Sequence, residues 1–168
     1  MQAPLWAMSA TLLLQLPAQA APRYGSINLG GSAYFSWMQM SQPTTKPDAD
    51  GNLISGYACT VKDTLKGMAK TATVERYAII GTEKAGDLKL KPIGGAIIRP
   101  EGKGYKVQDY PPTPETLPNL MEALSSKKQG KWYKSDFAPG KLDRACVEGG
   151  IVGALKQLEK DHKIKLTR

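Results

Sequence analysis

The stretch CVEGGIVGALKQLEKDH, residues 146–162, decides the fold. Its glycines admit two readings. As a phosphate loop they imply a doubly wound sheet, because a dinucleotide fingerprint places Gly-x-Gly-x-x-Gly between a strand and a helix N-terminus. As a helix interior they imply residues kept small for close packing. The flanking residues favour the second. Gly149, Gly150 and Gly153 follow KLDRACVE, which already has a helical rhythm; no strand pattern precedes them, and the Lys-Ser/Thr of a Walker loop is missing. At about 100° per residue, Leu142, Ala145, Cys146, Gly149 and Gly153 share one side. Val147, Ile151, Leu155 and Leu158 form a stripe on the other. A helical glycine costs about 1 kcal/mol relative to alanine, so it needs a reason. Close approach of this helix to a sheet, with Cys146 bonded across to Cys59, supplies one. Gly149 and Gly153 are therefore expected to face the sheet. The Gly149-x-x-x-Gly153 pair resembles a membrane packing motif, but Glu148, Lys156 and Glu159 exclude a span.

The sheet is read upstream. In YGSINLGGSAYFSWMQM, residues 24–40, two alternating runs flank Gly30-Gly31, the pattern of a hairpin. The second run carries large apolar groups on both parities, so it belongs inside a sheet. SQPTTKPDADGN reads as a loop, LISGYACTV as a strand carrying Cys59, KDTLKGMAK as a connection and TATVERYAIIGTE as a β-branched strand. GDLKLKPIGGAIIRPEGKGYKVQ reads as a meander, with turns expected at Gly94-Gly95 and at PEGKG. After Asp109 the character changes. Prolines lead into Leu117, Leu120, Met121 and Leu124 at helical spacing, which predicts a helix from about Leu117. A second, longer helix is expected over 141–161. Strands followed by helices predict an α+β fold: a mainly antiparallel sheet from the N-terminal two thirds, packed by two C-terminal helices and closed by one disulfide.

Residues 1–20 stand apart. They are uncharged, have an apolar centre, and end in Ala18-Gln19-Ala20, the small-x-small pattern of a signal-peptide cleavage site, although the usual basic residue near the start is missing. The reading is a signal peptide over 1–20 and a single domain over 21–168, placed in the periplasm or outside the cell, with no membrane span after cleavage. Cys59 and Cys146, the only two cysteines, suit one disulfide in that setting. The net charge of +8 favours an acidic protein or an anionic polymer as partner; export disfavours nucleic acid.

Overt chemistry is sparse. His162 is the only histidine and would be the base of any Ser-His or Cys-His site, yet a helix C-terminus gives it a sufficient structural role. One His and two paired Cys cannot make a usual zinc site, so neither metal nor cofactor is expected. DADGN, residues 48–52, resembles a calcium loop but has Lys46 and Tyr57 where an EF-hand needs ligands, so an Asp-Gly turn is preferred. Ser125-x-x-Lys128 matches a penicillin-binding pattern without its companion motifs. Glu101, Asp109 and Glu115 are the carboxylates that would serve a glycan hydrolase if two faced each other across a cleft. KKQGKWYK is the most suggestive surface feature, with Lys127, Lys128, Lys131 and Lys134 bracketing Trp132 and Tyr133. These residues are the candidate binding site. The leading expectation is an exported protein, more a binder than an enzyme, that acts through a protein–protein interface, such as an inhibitor, immunity factor or envelope accessory subunit. The alternatives are a module that binds an anionic envelope polymer or glycan, and a carboxylate-based glycan hydrolase.

Overall fold

A computed structural model describes residues 22–40, 42–80, 89–111 and 140–168. Strands β1 (Arg23–Gly30), β2 (Ala33–Gln39), β3 (Ile54–Asp63), β4 (Ala72–Ile80), β5 (Lys89–Glu101) and β6 (Gly104–Tyr110) form an antiparallel meander in sequence order. Helix α1 (Lys141–His162) follows, and the short β7 (Leu166–Thr167) pairs parallel to β6. The mainly antiparallel sheet and the disulfide are as expected. Two helices are not: the described residues contain one, and the helix expected from Leu117 lies outside them.

The β1–β2 hairpin turns at the first glycine pair. Gly30 and Gly31 have φ of 125° and 57°, values open to glycine and costly for other residues. The second pair does not turn. Gly94 and Gly95 lie inside β5, which runs on through Glu101, and the chain turns after that residue. What Gly95 provides is room. A Cβ there would lie 2.3 Å from the ring of Tyr110, its cross-strand neighbour. The same device recurs at Gly25, where a Cβ would fall 1.8 Å from the indole of Trp37. Local sequence does not separate a glycine pair that turns from one that carries a ring.

Alternation sorts the side chains onto two faces. Cys59, Val61, Val74, Ala96, Ile98 and Val107 face α1 and form the larger core with Cys146, Val147, Ala154, Leu155 and Leu158. Phe35, Trp37, Ala58, Tyr77, Ile79 and Leu90 form a second cluster on the opposite face.

Helix α1 is not straight. Gly150 sits at φ 72°, ψ −163°, a conformation essentially confined to glycine, and separates segments 141–149 and 151–162. A straight helix of 22 residues would be about 33 Å long. Instead Gly140–Asp143 and Asp161 line the same cavity, so the two segments double back as a V with Gly150 at the apex. This revises the role of each glycine. Gly149 is exposed with open space around it, and does not face the sheet. Gly153 is needed for clearance, but from the other segment: a Cβ there would lie 2.5 Å from the Ala145 carbonyl oxygen. Gly150 is the buried one. The misreading has a simple cause: a helical wheel assumes one axis, and this helix has two.

The apex leaves carbonyls at the end of the first segment without helical partners. Arg76 supplies one, its Nη2 donating to the Val147 oxygen at 3.3 Å. Its guanidinium also lies 4.0 Å from the centre of the Tyr57 ring. A cation at a helix C-terminus is favoured. Beside it the disulfide Cys59–Cys146 fixes the first segment to β3, with both cysteines fully buried and Cα atoms 6.2 Å apart. At the other end of the V, His162 Nε2 and Asp63 Oδ2 hydrogen-bond at 2.8 Å, tying the second segment to β3. His162 ends the helix, where its expected role lay, and the bond to Asp63 is a further one that the sequence reading did not foresee.

Candidate functional site

The fold separates several sequence candidates. Lys127, Lys128, Lys131, Trp132, Tyr133, Lys134, Glu115, Ser125 and residues 1–20 all lie outside the described residues. Glu101 and Asp109 do not share a cleft. Glu101 pairs in register with Gly104, and Asp109 is five residues further along β6, so the two carboxylates project from opposite faces of the sheet. They are about 17 Å apart along the strand direction, well beyond the separation at which two carboxylates work on one glycosidic bond. Each meets a cation instead: Glu101 lies 3.8 Å from Lys106 and Asp109 lies 3.6 Å from Arg168.

The DADGN loop is a turn, as its failed calcium register implied. Asp48 Oδ1 accepts the amides of Asp50 and Asn52, both at 2.9 Å, and Gly51 has φ 81°. The Lys91 ammonium takes the remaining oxygens, bonding Asp48 Oδ2 at 2.9 Å and also Asp50. Hydrogen bonding to Lys91 lowers the Asp48 pKa, and hydrogen bonding to Asp50 raises that of Lys91. A lysine from β5 thus stands where a cation would sit.

On the opposite face an unforeseen network surrounds Glu75. Tyr77 donates its hydroxyl to Oε2 at 2.6 Å, and Tyr110 donates to Oε1 at 2.9 Å. Burial, first, and then Glu75 raise the pKa of both phenols. Both carboxylate oxygens are engaged, which makes Glu75 a structural acceptor that orients the two rings. Nothing in the spacing of Glu75, Tyr77 and Tyr110 announces it, because the three meet only through the β4–β5–β6 register.

An open cavity lies at the open end of the V. A cavity of about 560 Å³ is bounded by the β1–β2 turn, the end of β3 and both ends of α1. Its walls include Tyr34, Leu142, Lys141, Asp63, Asp143 and Asp161. Tyr34 is 40% exposed and stands on the rim. Asp143, in the first turn of the helix, is partly buried; desolvation raises the pKa of its carboxyl, while a hydrogen bond from Ser36 opposes the rise. Asp161 accepts from Gln157 Nε2 at 2.8 Å and is exposed. Three carboxylates, of which Asp63 is already bonded to His162, stand against one lysine and make this site acidic on a chain whose net charge is +8. The sequence reading missed it because Tyr34, Asp63, Asp143 and Asp161 are scattered over more than a hundred positions.

The described residues contain no group of three or more His, Cys, Asp or Glu arranged to hold a metal ion. No described helix is long and apolar enough to cross a membrane. No protein-family model, curated protein or solved structure matches the chain.

Proposed function

We propose that this chain is an exported binding protein that acts through a protein–protein interface, as an inhibitor, immunity factor or envelope accessory subunit does. The cavity at the open end of the V carries the reading. It is large enough for one or two side chains, has an exposed aromatic at its rim and apolar Leu142 in its wall, and holds a carboxylate that burial leaves poorly solvated. Such a site favours an anchoring lysine or arginine of a partner, with Tyr34 packing on its stem. The N-terminal segment and the buried disulfide support export. The hydrolase alternative loses support, because Glu101 and Asp109 face away from each other.

The test is capture from the protein's own envelope fraction by the wild type and by Tyr34→Ala and Asp143→Asn variants. One stoichiometric partner held by the wild type, and weakened at least tenfold in both variants, is expected. A partner retained equally by all three chains would remove the cavity as its site.

A further inference from the structure

The C-terminal edge of the sheet carries a second kind of surface. Arg99 of β5 and Lys106 of β6 are direct cross-strand partners, and Lys106 is in turn paired with Thr167 of β7. Like charges placed directly opposite each other destabilise a sheet, so this pairing has a cost and no packing reward. Lys165, just before β7, borders the same cavity as Lys106 and Thr167. Lys103 sits at the β5–β6 turn and Arg168 ends the described chain. Between them lies Gly104, with open space where a side chain would be.

Two cavities join here. One of about 220 Å³ is bordered by Arg99, Lys106 and Gln108; one of about 390 Å³ is bordered by Lys106, Lys165, Thr167 and Arg168. They share Glu101 and Lys106 as walls and so lie side by side as a groove near the β6–β7 edge of the sheet. Adjacent strands are about 4.8 Å apart, so the row from Arg99 to Thr167 spans about 10 Å. Neutralisation is incomplete. Lys106 and Arg168 meet Glu101 and Asp109 only at 3.8 and 3.6 Å, with all four side chains more than half exposed. Such pairs are weak and screened by salt. No described carboxylate pairs with Arg99, Lys103 or Lys165.

We infer that this groove binds a linear polymer bearing repeated phosphate or sulfate groups. The cations are exposed along an open track, which suits successive oxyanions better than one enclosed ion. The large exposed apolar side chains, Tyr34, Leu53, Met68, Ile93 and Val152, all lie outside the residues that border it, and the one aromatic in its wall, Tyr105, packs half-buried against the core, so the groove offers cations before apolar surface. This inference stands apart from the protein-binding cavity, because it uses other residues and ligands of the opposite charge.

The test is equilibrium binding of the purified chain to three probes: long-chain inorganic polyphosphate, a highly sulfated glycan and inorganic monophosphate. Binding to at least one polymer is expected, with log affinity falling against log salt with a slope of about −1.4 to −2.8, as two to four neutralised oxyanions on a single-stranded polyanion require. Whichever polymer binds tighter identifies the oxyanion source. A triple Arg99→Gln, Lys106→Gln, Lys165→Gln variant should lose affinity at least tenfold. Glu101→Gln should bind more tightly, because it removes the carboxylate that competes for Lys106. The triple Lys46→Gln, Lys89→Gln, Lys156→Gln variant lowers net charge equally at exposed sites elsewhere and should bind as the wild type does. Equal loss in both triples would overturn the groove in favour of net charge alone. Unchanged binding in the groove triple, or monophosphate bound as tightly as either polymer, would overturn it as well. Thermal melts of each variant separate loss of binding from loss of fold.

Discussion

The two faces of the sheet are held by different means. The face under α1 joins parts of the chain that are far apart: Cys59 and Cys146 are 87 positions from each other, and Arg76 reaches the carbonyl of Val147. Its residues there are mostly small or β-branched, and its specificity comes from one covalent bond, one guanidinium and one glycine in an unusual conformation. The opposite face is assembled from strands that are near neighbours in sequence. Its order comes from rings laid on glycines, Trp37 on Gly25 and Tyr110 on Gly95, and from two phenols sharing Glu75. A sheet built as a meander needs little help to align its own strands. A helix arriving from a distant part of the chain needs a fastener.

That difference sets how each face should fail. Removing the fastener has the largest expected effect. Cys59→Ala with Cys146→Ala should cost about 4–5 kcal/mol, the chain-entropy value for a loop of this size, read as a drop in denaturation midpoint. A loss under 1 kcal/mol would mean that the helix face needs no crosslink. On the other face, Gly25→Ala drives a methyl group into an indole that is 2% exposed, and should cost about 1–3 kcal/mol of overpacking. A neutral result would show that Trp37 is free to move, and the contrast between the faces would weaken.

The glycines of α1 divide more finely. Gly150→Ala should cost about 1–3 kcal/mol. The cause is conformational, because the new methyl would sit 3.5 Å from Arg76, an ordinary contact. Its neighbour should respond in the opposite sense. Gly149→Ala faces open space and should stabilise by up to about 1 kcal/mol through helix propensity. Equal effects at the two positions would remove the V. Gly153→Leu should still damage folding, by prising apart the two segments.

The smallest effect is Tyr110→Phe, about 1 kcal/mol for one hydrogen bond. Its pH signature is more telling than its size. The folded state holds the Tyr77 and Tyr110 protons more tightly than the unfolded chain, whose phenols titrate near 10.0. The native state therefore binds more protons above that pH, and stability should fall as pH rises from about 10 through the raised native values. Denaturant melts between pH 8 and 11 should show a shallower fall in Tyr110→Phe than in the wild type. Parallel curves would mean that Tyr110 ionises as freely in the native state as in the unfolded chain.

Much of the scaffold was legible because strands advertise themselves locally. Alternation located β1 and β2, β-branched residues located β4, the PEGKG turn located β6, the first glycine pair located a hairpin, and two cysteines admit only one intramolecular pairing. The sites were less legible. The acidic cavity gathers Tyr34, Asp63, Asp143 and Asp161 because α1 folds back on itself, and the cationic groove gathers Arg99, Lys106 and Lys165 because β7 joins the edge of β6. Neither gathering follows from spacing along the chain.

Three glycine pairs mark the boundary between what could be read and what had to be seen. By itself the sequence determined a meander of strands, a long C-terminal helix and the crosslink between them, because period, turn chemistry and cysteine count are properties of neighbours or of composition. Gly30-Gly31 turns as its flanking runs predict; only the tertiary structure decided that Gly94-Gly95 lies within a strand with the Tyr110 ring on Gly95, and that Gly149-Gly150 bends a helix at its second member. The physical reason is that a glycine records the absence of a side chain, and what fills or uses that space arrives from elsewhere in the chain.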